Sequence, residues 1–363
     1  MHFRRVCIES FGYTLPEEIV STSELEHRLA PLYKRLRLPE GRLELMTGIR
    51  ERRFFPPQTR PSTISIQSAR RAIDAGGIDS RYFGALIHGS VCRDFLEPAT
   101  ACRVHHGLDL PSEAMIYDVS NACLGLLNGI VQVASMIELG QIRAGIVVGT
   151  ECGRELVENT IAVLNNDQSL SRDTIKNYIA SLTIGAASVA IVLCDEELSR
   201  AGNRLTTAVV HCDTTQHELC QSRGLETLMQ TDSEELMRRG IAAGATTFAH
   251  FLAATGWEPN DINRTFCHQV GVAHRKLMFE SLGLNPSMDF ATLETLGNTG
   301  SAALPVTMAI GVEQGRINQG DRVAMLGIGS GINCLMLGVE WEKSLSKSEA
   351  ATHPATAEGL AKS

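Results

Sequence analysis

The chain has 363 residues, 44% of them hydrophobic and 20% charged, ample for two domains or one large two-lobed unit. A formal net charge of −8 argues against holding a phosphate backbone as its main task, so no nucleic-acid partner is expected. Ten cysteines occur without a CxxC pair, and the longest nearly uncharged apolar run, Ser181–Cys194, is too short and too rich in Gly and Ala to span a bilayer, so a cytoplasmic protein is expected.

Along the chain, Met1-His-Phe-Arg-Arg-Val-Cys-Ile-Glu lacks the uncharged apolar core of a secretion signal. Gly77-Ile-Asp-Ser-Arg-Tyr-Phe-Gly-Ala-Leu-Ile-His88 reads as a polar turn followed by a short strand. His105-His106 falls on a helix ending at Gly107 and suits a C-terminal dipole contact. An apolar strand, Ala114–Val119, then breaks through small polar residues into Cys123. The helix that follows, Leu124 to Ile137, is apolar on nearly every face and reads as buried. A thiol at a helix N-terminus meets unpaired N–H groups and the positive dipole end, which favour the nucleophilic thiolate. A small buried hydrophobe fits the same pattern, and the motif alone leaves both open.

The segments Glu155–Lys176 and His217–Arg239 look like polar, helical insertions. Their apolar faces would wall a channel or simply pack. His211-Cys-Asp-Thr-Thr-Gln-His217-Glu-Leu-Cys220 has zinc-ligand residue types but no second pair to close a tetrahedral site, so no metal is expected.

Two segments repeat. Glu258-Pro-Asn-Asp-Ile-Asn-Arg-Thr-Phe-Cys-His268 echoes 77–88, with the histidines 180 residues apart. Glu313 to Gly327 echoes Glu138 to Gly149 at an offset of 175. The offset suggests a duplicated βαβ-rich unit, with halves at 1–180 (insertion about 151–176) and 181–341 (insertion about 211–240). It also carries Cys123 onto Asn298, in the loop Thr295–Ser301 before an apolar helix over Ala302–Val312. Packed about a pseudo-twofold axis, Cys123, His268 and Asn298 would face one pocket. The glycine run Gly327–Gly331 lies between strand-like stretches with no helix after it, which excludes a dinucleotide loop. The tail 342–363, rich in Ser, Ala, Thr and Lys, is expected to be disordered.

The Cys123 turn, Cys267-His268-Gln269, Gly297-Asn298-Thr-Gly300 and Gly327-Ile-Gly-Ser-Gly331 together resemble the thiolase-fold condensing enzymes of the ketoacyl synthase III type, over roughly Phe3 to Trp341. Within them the chain is most similar to the olefin-pathway thiolases, through Ser90–Thr100, Val119–Gly129 and Leu326–Asn333.

The resemblance implies an α/β protein of the thiolase fold, a duplicated five-layered αβαβα arrangement. It implies a homodimer without a cofactor that joins two fatty acyl-CoA chains through an acyl group on Cys123. His268 and Asn298 would polarise the second thioester, and Glu97, arriving from the partner subunit, would be the base. Gly329, Ser330 and Gly331 would lie at the oxyanion hole and beside Glu97. Arg50, Arg52 and Arg53 offer charge for CoA phosphates, although the family's adenine-stacking tryptophan has no counterpart before Gly48-Ile-Arg50. The sequence leaves open whether chains arrive on CoA or on an acyl carrier protein, and downstream pathway enzymes are further candidate partners. Two alternative reactions stand beside this one: decarboxylative condensation with a malonyl carrier protein, and acyl transfer to an alcohol or amine.

Overall fold

The computed structural model describes residues 1–222 and 228–345. Its spine is a nine-stranded mixed sheet. In chain order the strands are β1 (Val6–Thr14), β2 (Phe83–Gly89), β3 (Met115–Val119), β4 (Ala144–Glu151), β5 (Ala187–Asp195), β6 (Arg204–Cys212), β7 (Arg264–Cys267), β8 (Arg322–Gly329) and β9 (Asn333–Glu340). Across the sheet they run β7-β8-β9-β6-β1-β5-β4-β2-β3.

The order reads alike from the centre outward. β1 meets β6 through one residue pair, Cys7 opposite Arg204. One side continues β5-β4-β2-β3 with antiparallel, antiparallel, parallel and parallel pairings. The other continues β9-β8-β7 with antiparallel, antiparallel and parallel pairings. A parallel bridge from Thr265 to Asp289 stands where β3 stands on the first side.

Alternation along the strands sorts side chains into layers. Ala85, Ile87 and Val147 from one half and Phe266, Val323 and Met325 from the other share one core with helices α3 (Gly125–Glu138) and α6 (Ala303–Glu313). Leu86, Ile146 and Val148 point the other way, onto α1 (Pro61–Gly76) and α2 (Thr100–Leu108). Ala324, Leu326 and Met336 do the same onto α4 (Ser233–Thr255) and α5 (Val272–Leu282). The result is helix, sheet, helix, sheet, helix: the five-layered thiolase arrangement. The reading of α3 as a buried helix needs one amendment, since Asn128, Val131, Gln132 and Ser135 leave one face half-buried.

The segments beyond this frame differ from expectation in their limits. The expected 155–176 insertion forms a helix, Arg154–Asn166, whose Val157, Ile161 and Leu164 are buried against Val20, Leu25, Leu29 and Phe54. That apolar face is consumed by packing. The second insertion ends at Asp232 rather than 240, because Asp232 caps α4 by accepting from the Glu235 N–H at 3.1 Å. Residues 223–227 of that insertion, and the expected disordered tail from 346 onward, lie outside the described residues.

Candidate active site

Between β3 and α3 the backbone turns through Ala122 at φ 44°. An alanine in the left-handed region costs of order 1 kcal/mol or more and persists only where its surroundings hold it. Asparagines do the holding. Asn121 donates to Asn128 Oδ1 (2.8 Å) on the first turn of α3 and accepts from Asn333 Nδ2 (3.3 Å) on β9. Asn333 also donates to the Ser330 carbonyl at 3.2 Å. The turn bearing Cys123 is thereby fastened to the Gly327–Gly331 segment.

Two glycines allow the approach. A Cβ on Gly89 would lie 2.7 Å from the Gly125 carbonyl carbon. A Cβ on Gly329 would lie 3.1 Å from Leu124 Cγ and 3.6 Å from the Cys123 nitrogen.

The ionisation of Cys123 departs from the sequence-based expectation. Burial pushes its thiol up to about 12, with the Cys220 thiol and the Glu151 carboxylate adding to the shift and the residue's own N–H opposing it. The helix end is present, but desolvation of a thiolate outweighs it. Cys220 sits on a short strand, Cys220–Gln221, inside the second insertion. That insertion therefore lies near enough to act on the charge of the nucleophile.

His268 follows β7 at the sheet end where β8 passes the Cys123 turn, and its N–H donates to the Leu326 carbonyl at 3.1 Å. It is buried, its ring is driven down to about 3 by burial and then by nearby His274, and Nδ1 has no partner among the described residues. The imidazole is neutral at physiological pH. Gln269 caps the short helical turn Leu293–Leu296, distant in sequence, by accepting from the N–H groups of Thr292 (3.0 Å) and Leu293 (2.6 Å). Asn298 is also buried, with its backbone paired to Thr183 and Gly185. Its Oδ1 accepts from the Gly300 N–H at 3.0 Å, which turns the amide so that Nδ2 is a donor with no partner among the described residues.

Glu97 lies in the exposed tip of a loop anchored on both sides. Before it, Asp94 accepts from Ser62 N (2.9 Å) and Ser62 Oγ (2.5 Å). After it, Asp118 accepts from the N–H groups of Thr100 and Ala101 at 2.8 Å each. The helix that follows begins at Thr100, two residues after Pro98, and the carboxylate at its N-terminus is that of Asp118. Val91, Phe95 and Leu96 around Glu97 are exposed, and Arg60 covers the Phe95 ring at 5.3 Å.

The three arginines separate. Arg50 is exposed, ion-paired to Glu294 at 2.6 Å. It lines a cavity of about 680 Å³ with Leu45, Gly48, Val272 and Arg275. Arg53 Nη1 donates to the Pro16 carbonyl at 3.0 Å. Arg52 is 1% exposed and donates to the Leu182 carbonyl at 3.2 Å, so its expected role as a phosphate contact is set aside. His105 likewise contacts the Pro111 carbonyl (3.0 Å) rather than its own helix end. Among the described residues no group of three or more His, Cys, Asp or Glu is placed to hold a metal, and no helix is long and apolar enough to cross a membrane.

This fold and site define a thiolase-superfamily acyltransferase. Residues 46–156 match the thiolase N-terminal domain, and residues 252–341 match the C-terminal region of 3-oxoacyl-[acyl-carrier-protein] synthase III. The acyl-CoA:acyl-CoA alkyltransferase of Shewanella oneidensis is 42% identical over 94% of this chain and all of that protein. Xanthomonas campestris OleA, in a cysteine-to-serine variant with lauric acid and lauroyl-CoA bound, superposes with a TM-score of 0.90. It is 32% identical, covering 93% of this chain and all of that one. A structure described as 3-oxoacyl-(acyl carrier protein) synthase III of Xanthomonas oryzae matches equally well, at TM-score 0.90 and 32% identity over 94% and 100% of the two chains. The chain belongs to the family of the acyl-CoA:acyl-CoA alkyltransferases.

Proposed function

We propose that this chain joins two acyl-CoA thioesters head to head without decarboxylation and releases a 2-alkyl-3-oxo acid. Cys123 attacks the first thioester, and its proton leaves with the CoA thiol. The N–H of Cys123, with one from the Gly329–Ser330–Gly331 run, faces the oxyanion; one such donor contributes about 10²–10³ in rate. Glu97 removes an α-proton from the second acyl-CoA, while neutral His268 and Nδ2 of Asn298 hydrogen-bond the developing enolate oxygen. The carbanion attacks the acyl-Cys123 carbonyl, forming the carbon–carbon bond and expelling the thiolate. Water then cleaves the remaining CoA thioester.

The observation that carries this reading is the arrangement around Glu97. Malonyl-dependent chemistry draws its carbanion from CO₂ loss and needs no carboxylate base. Here a glutamate stands on an arm pinned by Asp94 and Asp118, and the helix N-terminus that would give it a structural reason is already capped. The arm projects from the subunit beside β3, the edge strand of the sheet, among exposed Val91, Phe95, Leu96 and Met115. A twofold dimer through this apolar edge covers it and carries each Glu97 into the partner's site, with Ser330 as its hydrogen-bond partner there.

The test is a product assay with one labelled medium-chain acyl-CoA and no malonyl thioester, beside Glu97→Gln. A β-keto acid or its decarboxylated ketone is expected, falling by about 10²–10⁴-fold in the variant while Cys123 still acylates. Carbon–carbon product appearing only on adding malonyl thioester sinks the proposal.

A further inference from the structure

The buried carboxylate of Glu151, at the end of β4, takes no part in the chemistry above, yet it joins the two loops that do. Its Oε1 accepts from the Val91 N–H at 3.0 Å, the Ser301 N–H at 3.2 Å and the Ser301 hydroxyl at 2.5 Å. Its Oε2 accepts from the Cys92 N–H at 3.3 Å. Val91 and Cys92 open the arm that carries Glu97, and Ser301 closes the loop that carries Asn298. Gly300 sits directly on the carboxylate at φ 57°, where a Cβ would lie 3.2 Å from Oε1 and Cδ. Four donors converge on this group, and only a side chain that is purely an acceptor satisfies them all.

We propose that Glu151 is the positioning residue for carbon–carbon bond formation, holding the Asn298 loop and the Glu97 arm in one fixed relation. This rests on the roles assigned above to Asn298 and Glu97. The tie bears on condensation and not on acylation, because Cys123 is held separately by Asn121 and Asn333. In the dimer it acts on both sites at once, since the arm it anchors serves the partner.

The two half-reactions should therefore move apart in Glu151→Gln. The amide keeps one acceptor and turns an NH₂ against backbone donors, so one loop loses its anchor. A displacement of about 1 Å in a catalytic group costs on the order of 10²-fold in turnover. Meanwhile burial, and then Cys220, still hold the Cys123 thiol protonated while the smaller contribution of the Glu151 charge is removed, so acylation should be unchanged or slightly faster.

The experiment is single-turnover CoA release and acyl-Cys123 formation, read by intact mass, beside steady-state formation of condensed product. The expected result in Glu151→Gln is acylation at or above the unmodified rate, kcat for condensation down about 10–100-fold, and partial recovery in Glu151→Asp. Ser301→Ala, which deletes one hydroxyl tie and leaves the carboxylate, should show the same split on a smaller scale and stands in if Glu151→Gln does not fold. Acylation and condensation falling together, or condensation unchanged in Glu151→Gln or Ser301→Ala, overturns the assignment. Unmodified protein that acylates but condenses only with malonyl thioester overturns the proposed function instead; Glu151 is then judged by the same split in malonyl-driven condensation, which draws equally on Asn298.

Discussion

Raising pH should activate Cys123 steadily, with no levelling in the neutral range. A thiol held at about 12 rather than 9.0 is ionised at pH 7.5 to about 1 part in 30,000 instead of about 1 in 30, a roughly thousand-fold deficit. Part of it is recovered, because thiolate nucleophilicity rises with basicity; with a Brønsted slope of about 0.45, three units return about 20-fold. Alkylation should thus run about 50-fold slower than at an unperturbed cysteine at pH 7.5. The rate should climb about tenfold per pH unit, without a plateau below about pH 10. Iodoacetamide labelling read on the Cys123 peptide from pH 6.5 to 10, with exposed Cys212 as internal reference, measures both. A plateau near pH 7–8 would mean that the helix end outweighs burial, and the desolvation argument would be wrong.

Three further outcomes are expected. Co-expressed Cys123→Ala and Glu97→Ala chains, each inactive alone, should recover about a quarter of unmodified activity, since half the dimers then hold one complete site of two; a mixture that stays inactive places Glu97 in its own chain's site. Gly89→Ala puts a methyl 2.7 Å from backbone atoms of Gly125 that cannot yield as a side chain would, so urea unfolding should report a loss of about 1–3 kcal/mol and Cys123 acylation should slow. Arg52 is a buried guanidinium driven down to about 10 by burial, with Nε and Nη1 lacking partners among the described residues. Arg52→Met should leave KM for acyl-CoA unchanged and stability equal or higher, because an unpaired charge leaves the interior; a raised KM would return Arg52 to the CoA contacts.

Much of this molecule was legible along the chain. The strand, turn and helix around Cys123 follow from a switch in apolar period at small residues, and the structure has β3 and α3 within a residue or so of that reading. The echo of 77–88 in 258–268 appears as β2 and β7, each beside a parallel neighbour. The echo of 138–149 in 313–327 appears as β4 and β8, and the 175-residue offset located the Asn298 loop before α6. Periodicity reports which way a side chain faces on its own element, and that is enough to place elements in layers.

What it cannot report is which distant segments meet at a point. The protonation of Cys123 is set first by its burial and then by Cys220 and Glu151, drawn from two other parts of the chain. Arg52 looked like its neighbours Arg50 and Arg53 until the backbone around Leu182 enclosed it. The carboxylate at the start of α2 comes from Asp118, eighteen residues beyond Thr100, which leaves Glu97 without a local partner among the described residues. Glu151 reads as the last residue of an apolar strand, and only the convergence of Val91, Cys92 and Ser301 makes it a tie. Local sequence determined the elements and their buried faces. The polarity and donor count at the site were decided by tertiary contacts, because desolvation and hydrogen bonding act through space among residues that no local pattern connects.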